Sequence, residues 1–173
     1  MVGNSASGKS TLAQLLSAKY RLPLWHIDRI FWKAGWQLCE AEEFASVHKR
    51  WIAETHWLID GIGHWVQLCQ RLAACDVIIF LNTPIECCFE RAAQRMAADA
   101  IAPNKFMADG CRYSDVMDRQ QQVILNFESE MRPRLAQLLQ EELSEKPQVI
   151  LDGRRTPKEL LTDYAEWLTA EDK

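Results

Sequence analysis

The residues near the amino terminus constrain the fold of this chain most strongly. Residues 2–11 read Val-Gly-Asn-Ser-Ala-Ser-Gly-Lys-Ser-Thr and fit the pattern G-x-x-x-x-G-K-[ST]. Gly3 and Gly8 permit backbone conformations that a Cβ atom disfavours, so the loop can turn its N–H groups toward one concavity. Apolar residues then recur at helical spacing: Leu12, Leu15, Leu16 and Tyr20.

This loop predicts a phosphate-binding site at the start of a helix, where free N–H groups and the helix dipole favour an anion. Lys9 reaches the β- and γ-phosphates of a nucleotide in this pattern, and the Ser10 hydroxyl binds Mg²⁺. The alternative is an ordinary Gly/Ser turn before a helix. The predicted nucleotide contacts are Gly3, Asn4, Ser5, Ala6, Ser7, Gly8, Lys9, Ser10 and Thr11.

Only Met1 and Val2 precede Gly3, whereas such a loop normally leaves a full buried strand. The first strand is therefore expected to be truncated, or the natural chain to start upstream. In the second case we expect about four to six apolar, β-type residues before Met1.

Size and composition indicate one soluble domain spanning residues 1–173. The net charge is −4 and there is no long basic block, which argues against a dedicated nucleic-acid-binding protein. No apolar run is long enough to cross a bilayer, and no signal-peptide pattern opens the chain. The six cysteines form no C-x-x-C pair, so we expect reduced packing thiols in a cytoplasmic protein.

Two short apolar runs end in an acid. Residues 24–27 predict a strand that ends at Asp28, and residues 57–59 predict a buried strand that ends at Asp60. A carboxylate just beyond a parallel strand is well placed for chemistry. Asp60 matches the element that holds Mg²⁺ directly or through water, although Asp-Gly is also common in strand-end turns.

Three tryptophans lie near the first of these acids. Trp25, Trp32 and Trp36 either stack on a ring of the substrate or form a small core. The sequence leaves both interpretations open. Between the two acids, residues 40–55 predict an amphipathic helix.

The run 77–81 is the clearest strand, being an unbroken apolar, β-rich segment suited to a sheet covered on both faces. Thr83-Pro84-Ile85-Glu86 then indicates a helix start with Thr83 as the cap. Arg91 and Arg95 lie four apart on this helix, hence on one face. They either clamp the phosphoryl oxygens or form part of a solvated face.

Residues 97–118 lack a clear period and are expected to form a lid over the site. Lys105, Arg112 and Arg119 lie within this segment or just beyond it, where they could reach phosphates. A helical pattern resumes at residue 115, and Pro133 should kink or split it.

Residues 149–151 predict a last short strand, followed by Asp152-Gly153. Thr156-Pro157-Lys158-Glu159 repeats the helix-start pattern. Because strands alternate with helices throughout, the sequence predicts an α/β fold with a parallel sheet, right-handed crossovers and helices on both faces.

The pattern resembles the adenylate-kinase-related nucleotide kinases, and most of all the small bacterial group called DNA topology modulation proteins. The resemblance covers nearly the whole length. The residues that carry it are 3–11, 26–28, 31–32, 35–36, 57–61, Arg91 with Arg95, and 152–153.

This resemblance implies a three-layer P-loop NTPase fold with a five-stranded parallel sheet in the order 2-3-1-4-5. It also implies a lid with arginines, and adenine near the last loop, bordered by Gly153, Arg154 and Arg155. One departure concerns the third strand, which the group often continues as Asp-Gly-Asn-Tyr. Here Ile62-Gly63-His64 follow Asp60-Gly61, so the acceptor site differs.

The sequence thus predicts a phosphotransferase that uses ATP and Mg²⁺ and acts on a nucleotide, a nucleoside or another small metabolite. Lys9, Asp28, Arg91 and Arg95 are the candidate catalytic residues, and Ser10 with Asp60 are the candidate metal ligands. Asp28 would act as general base for a hydroxyl acceptor and only orient a phosphate acceptor. The alternative is a nucleotide-binding regulatory protein with little or no turnover.

Overall fold

Short parallel strands alternate with helices from one end of the chain to the other. The computed structural model describes residues 1–102 and 106–171, apart from the side chains of residues 100 and 117. The strands are β1 (Val2–Gly3), β2 (Leu24–His26), β3 (Trp32–Lys33), β4 (Gln37–Leu38), β5 (Leu58–Asp60), β6 (Ile78–Asn82) and β7 (Gln148–Asp152). The α-helices are α1 (Lys9–Tyr20), α2 (Asp28–Phe31), α3 (Ala41–Ile52), α4 (Trp65–Ala74), α5 (Ile85–Ile101), α6 (Met117–Asn126), α7 (Arg132–Gln137) and α8 (Pro157–Glu171).

The strands form two parallel ladders and one small antiparallel hairpin. The ladders have the orders β1-β6-β7 and β2-β5, and the hairpin joins β3 to β4. The prediction of one five-stranded sheet in the order 2-3-1-4-5 is therefore not confirmed. The reason lies in the first strand, which has only two residues. Two hydrogen bonds nevertheless link the ladders, from Met1 N to Ile59 O at 2.7 Å and from Gly61 N to Met1 O at 3.3 Å.

Helices cover both faces of the ladders, as the alternation along β6 requires. Ile79 and Leu81 pack on one side, in a core cluster with Leu12 and Leu16 of α1 and with Leu160 of α8. The opposite cluster contains Ile78 and the buried leucines of α4, α7 and the turn after α7: Leu68, Leu72, Leu135, Leu138 and Leu139. Full burial of such a leucine side chain contributes roughly 1.5–3 kcal/mol.

Several local predictions are confirmed, and one is wrong. The helix at Pro157 begins with the expected capping box, because Thr156 Oγ1 and Glu159 Oε2 lie 2.8 Å apart and Glu159 N donates to Thr156 Oγ1. The same pattern at Thr83 does not form this cap. Thr83 Oγ1 instead donates to Ser7 O at 3.1 Å, because Thr83 is buried against the loop after β1.

The helical region before β7 is divided into four segments. Between α6 and α7 lies a π-helical turn at Phe127–Met131, and a second π-helical turn at Leu138–Glu142 follows α7. Pro133 occupies the first turn of α7, where its missing N–H costs no helical hydrogen bond. None of the helices in the described ranges combines the length and the hydropathy that crossing a membrane requires.

Candidate functional site

The residues singled out from the sequence lie where the parallel strands end. Residues 3–11, called here the glycine loop, run from the end of β1 into the first turn of α1. His26 and Asp60 end β2 and β5 and face each other in the parallel register. The loop after β7 starts at Gly153, beside the end of β6. The carboxyl edge of an open α/β sheet is the usual place for a ligand site.

The glycine loop curls tightly against β6. Gly3 has φ +152°, and a Cβ atom there would lie 2.7 Å from Leu81 O, so the close approach of the two backbones requires glycine. Ala6 has φ +57°, a left-handed conformation that is unusual for a residue with a side chain. Strain of this kind persists only where neighbouring contacts impose it.

Those contacts come largely from α6 and the turn after it. Asn4 Nδ2 donates to Ile124 O at 3.1 Å and to Glu128 Oε1 at 2.8 Å. Gln120 Nε2 donates to Ser5 Oγ at 2.5 Å. The glycine loop is thus held by α6 and the turn after it as well as by β6, and Lys9 Nζ folds back onto Asn4 O at 3.0 Å.

Asp60 is buried and forms a pair with His26, whose Nδ1 lies 3.0 Å from Asp60 Oδ2. Burial alone would raise the pKa of Asp60. The hydrogen bond from His26, the Lys9 ammonium and the Ser10 hydroxyl outweigh burial, so the pKa of Asp60 lies below its usual value. Asp60 is therefore an ionised carboxylate beside Ser10.

The donor set at this point fits a hard divalent cation. Asp60 Oδ1 is buried and finds no hydrogen-bond partner among the described residues. A buried carboxylate oxygen without a partner is costly, and Mg²⁺ prefers carboxylate and hydroxyl oxygens. Asp60 and Ser10 together could hold Mg²⁺, directly or through water.

Asp28 begins α2, two residues after His26. It also lines a cavity that opens beside the glycine loop. Burial raises its pKa and the Asp60 charge adds to the effect, while Lys9, Arg95 and His26 act in the opposite direction and do not cancel it. A carboxylate with a raised pKa binds a proton more readily, as a general base must.

Arg91 joins two parts of the site through its guanidinium group. Nη1 donates to Ser7 O and Nη2 donates to Gly153 O, both at 2.7 Å. The side chain thus connects the glycine loop to the loop after β7. Arg91 is partly buried by these contacts, so it does not belong to a merely solvated helical face.

The remaining arginines have separate partners. Arg95 Nη1 donates to the Tyr113 hydroxyl at 2.9 Å. Arg112 is 3.3 Å from the Asp99 carboxylate, and the Arg119 guanidinium lies over the Trp32 ring at 4.7 Å. Lys105, predicted for the lid, lies outside the described residues.

The loop after β7 is fixed at Gly153 and exposed at the next residue. Gly153 N donates to Asn82 O at 2.8 Å, which holds the loop against the end of β6. Arg154 is exposed and pairs with Asp152 at 2.7 Å, and Arg155 pairs with Asp163 at 2.9 Å. By the family resemblance, Gly153, Arg154 and Arg155 would border the adenine.

A cavity of about 460 Å³ opens beside the glycine loop. Its lining includes the buried Gly3 and the half-buried Lys9 and Asp28, and also the exposed Glu130 and Arg134. This volume lies within the range of small-molecule sites.

The three tryptophans divide between core and cavity. Trp25 stacks on Trp51, with the ring centroids 5.2 Å apart, and belongs to a buried cluster. Trp32 and Trp36 line the cavity and pack on each other at 5.4 Å. Trp36 also donates from Nε1 to Arg112 O at 2.9 Å, which ties the hairpin to the segment after residue 106.

The sequence reasoning did not assign a role to His26, Tyr113, Glu130 or Arg134. For His26 a signal existed, because the predicted strand 24–27 contains His26 close to its carboxyl end and the other predicted parallel strand ends at Asp60, so both side chains lie near one edge. The other three reach the site through helical packing between distant segments, which no local pattern reveals.

No protein-family model and no curated protein matches this sequence. Among solved structures, the chain is similar to an unliganded sugar kinase from Janibacter sp. HTCC2649, with 15% sequence identity and a TM-score of 0.54. The match covers 96% of this chain and 91% of that one. At this identity the likeness shows the fold alone and does not extend to the adenylate-kinase-related group or to the topology modulation proteins, so the resemblance to that group stays a prediction.

Proposed function

We propose that the protein is an ATP-dependent phosphotransferase that moves the γ-phosphoryl group of ATP to a small acceptor. The observation that carries this proposal is the 460 Å³ cavity, whose lining includes both Lys9 of the glycine loop and Asp28. A nucleotide bound at the loop and an acceptor bound in the cavity would then meet between these two side chains.

In this proposal catalysis consists mainly of positioning and charge stabilisation. Lys9 leaves its contact with Asn4 O to bind the β- and γ-phosphates, together with the backbone N–H groups of residues 3–11. Arg91 and Arg95 lie one helical turn apart on α5, and they neutralise charge on the moving phosphoryl group. Arg112 and Arg119 are further candidates for phosphate contacts.

Ser10 and Asp60 would hold Mg²⁺, which supplies charge neutralisation on the phosphates when bound. His26 keeps the Asp60 carboxylate oriented, with Oδ2 engaged and Oδ1 left for the cation or its water. Gly153 and Arg154 would border the adenine. Asp28 takes the proton of a hydroxyl acceptor or, if the acceptor is a phosphate, only orients it.

The alternative is a nucleotide-bound regulatory protein with little turnover. The contacts that favour it are those of Arg91, because its two terminal nitrogens each donate to a backbone carbonyl. Such an arginine can report whether the glycine loop is occupied without taking part in transfer.

One assay separates the two functions. ADP release from MgATP is measured across nucleoside monophosphates, nucleosides and sugars, the last because the structural neighbour is described as a sugar kinase. Lys9→Ala serves as the blank. Strong stimulation by one acceptor, lost in Lys9→Ala, supports the phosphotransferase. ATP binding that depends on Lys9, with no stimulation by any acceptor, favours the regulator.

A further inference from the structure

The part of the cavity beside Asp28 favours a hydroxyl group over a phosphate as the acceptor. Asp28 lines it, and burial raises the pKa of this carboxyl, with the Asp60 charge adding to the effect. A carboxylate in this state takes a proton from a hydroxyl readily. It would repel an acceptor phosphate, which already carries negative charge and needs no base.

The walls of the cavity favour a flat ring over a polyhydroxylated chain. The lining is mostly apolar and includes Phe31, Trp36, Ile62, Val116, Val123 and Met131. A polyol placed there would lose hydrogen bonds to water without replacing them. A planar ring would instead bury its apolar faces against these side chains.

The exposed part of the cavity lining that carries Glu130 and Arg134, called here the mouth, has two opposite charges that are not paired with each other. Glu130 and Arg134 are four residues apart, a spacing that permits an ion pair. No ion pair joins them in the described part of the chain. The Arg134 guanidinium rests on the Trp65 ring instead, with its centre 4.2 Å from the ring centroid.

A π-helical turn brings these groups to the cavity. Phe127–Met131 forms the turn, and Phe127, Glu130 and Met131 all line the cavity. Such turns recur at functional sites, because the wider turn redirects side chains that an α-helix would place elsewhere. The result is a hydrogen-bond acceptor and a donor on the lining of a mostly apolar cavity.

We propose that the acceptor is a nucleoside-like molecule, a planar heterocycle that carries a hydroxyl group. Its hydroxyl lies at Asp28, its ring lies between the apolar walls, and its hydrogen-bonding edge meets Glu130 and Arg134. A carboxylate and a guanidinium together match a ring edge that offers both donors and acceptors. This inference rests on the proposed function, since it names the acceptor of that transfer.

The chemical step balances with ATP as the only other reactant. The hydroxyl oxygen attacks the γ-phosphorus while its proton passes to the Asp28 carboxylate. The bond from the γ-phosphorus to the bridging oxygen of ADP breaks, and ADP leaves with that electron pair. Asp28 then releases the proton to water.

A matched set of acceptors tests the proposal. A nucleoside, its 5′-monophosphate and free ribose are compared at equal concentration with MgATP, and phosphorylated products are quantified. The nucleoside is expected to react at least about tenfold faster than either of the others, the ratio that one lost polar or apolar contact typically gives. A preference for the monophosphate or for ribose overturns the inference and leaves the phosphotransferase standing.

If no acceptor is phosphorylated while ATP binding remains intact and dependent on Lys9, the proposed function is wrong. Calorimetric titration of the nucleoside into the protein with MgADP then tests the site itself. Binding of the nucleoside but not of ribose supports the inference, and no binding of the nucleoside overturns it.

Variants at the mouth test the predicted edge contacts. Arg134→Leu and Glu130→Gln are each expected to raise KM for the nucleoside about tenfold, with kcat and KM for ATP nearly unchanged. The preferred base should also change, which loss of folding would not cause. Arg50→Leu, at an exposed arginine in the last turn of α3, is the matched control and should leave all constants unchanged. Unchanged KM and base preference in both mouth variants would overturn the placement of the ring.

Discussion

The Nδ1 atom of His26 lies 3.0 Å from Oδ2 of Asp60, and this contact joins the ends of two neighbouring parallel strands. One carboxylate oxygen is thereby engaged, while Oδ1 stays buried without a protein partner among the described residues. A hydrogen bond on one oxygen fixes the rotation of the carboxylate. His26 therefore fixes the orientation of the remaining oxygen, Oδ1.

The first prediction concerns this orientation. His26→Ala should raise the Mg²⁺ concentration needed for half-maximal activity by roughly 10- to 100-fold, the range seen for partners that orient metal ligands. His26→Asn should recover much of the loss, because an amide N–H can donate from nearly the same position. Mg²⁺-dependent thermal stabilisation in the presence of ADP provides a second readout that does not require turnover. Equal Mg²⁺ dependence in wild type and His26→Ala would show that His26 does not position the metal ligand.

The second prediction concerns the proton acceptor. Asp28→Asn should lower kcat by about 100-fold or more with a hydroxyl acceptor, because an amide cannot take the proton. With a phosphate acceptor the loss should be much smaller. Acceptor binding, measured by calorimetry with MgADP, should change little. Small and equal losses with both acceptors would remove Asp28 from the mechanism.

The third prediction concerns Arg91, which bridges Ser7 O and Gly153 O. Arg91→Ala should lower the free energy of unfolding by about 2–4 kcal/mol, since two hydrogen bonds from a charged donor are lost. Turnover should fall by up to roughly 1,000-fold, far more than ATP affinity. Urea denaturation and steady-state kinetics measure the two effects separately.

Arg95→Ala is the comparison for that variant. Arg95 donates to the Tyr113 hydroxyl, and its guanidinium lies over the Tyr113 ring at 5.0 Å. Arg95→Ala should reduce turnover, and it should lower the free energy of unfolding less than Arg91→Ala does. Full turnover in both variants would mean that neither arginine acts on the phosphoryl group.

The fourth prediction concerns crowding at Gly153. A Cβ atom there would lie 1.7 Å from Thr83 Oγ1 and 2.9 Å from Thr83 Cα, so the backbone must move. Gly153→Ala should cost at least about 3 kcal/mol and weaken ATP binding, because Thr83 also holds Ser7 O. Gly35→Ala is the control. Its backbone is left-handed at φ +73° but nothing lies within 4 Å of the added atom, so only about 1–2 kcal/mol is expected. A cost at Gly153 no greater than at Gly35 would contradict the packing argument.

Local sequence patterns predicted individual elements well where residues within the segment itself determine its structure. The strand predicted at 77–81 appears as Ile78–Asn82, and the helix predicted at 40–55 appears as Ala41–Ile52. The two Thr-Pro-x-Glu segments show the limit of such reasoning. Thr156 forms the capping box, whereas Thr83 instead donates to Ser7 O of the glycine loop, 76 residues away in sequence.

The candidate site was only partly predictable for the same reason. The glycine loop and the two strand-end acids have signatures within a few residues of sequence. The hairpin Trp32–Leu38 has none, since its turn depends on left-handed conformations at Gly35 and at Trp36, where φ is +61°. Glu130 and Arg134 reach the cavity through a π-helical turn that sequence periodicity does not indicate.

The last prediction concerns a buried histidine outside the site. His48 is fully buried on α3, and neither ring nitrogen has a hydrogen-bond partner among the described residues. Burial, with a smaller effect from the Arg71 guanidinium, lowers the pKa of His48 to about 4, from 6.5. Between these pH values the unfolded chain binds a proton at this residue that the folded protein does not bind. The free energy of unfolding should therefore fall as the pH falls through this window, by about 3 kcal/mol in total from this residue.

His48→Leu removes both the titration and the unpartnered nitrogens while keeping a similar volume. The variant should be more stable than wild type by about 1 kcal/mol at pH 7.5, and the difference should widen steadily toward pH 4.5. Urea denaturation at several pH values measures this difference, in which the other titrating groups cancel. His56→Leu, at an exposed position, checks that the change in slope belongs to His48 rather than to the loss of any histidine. Parallel pH profiles for wild type and His48→Leu would mean that His48 titrates alike in the folded and unfolded states.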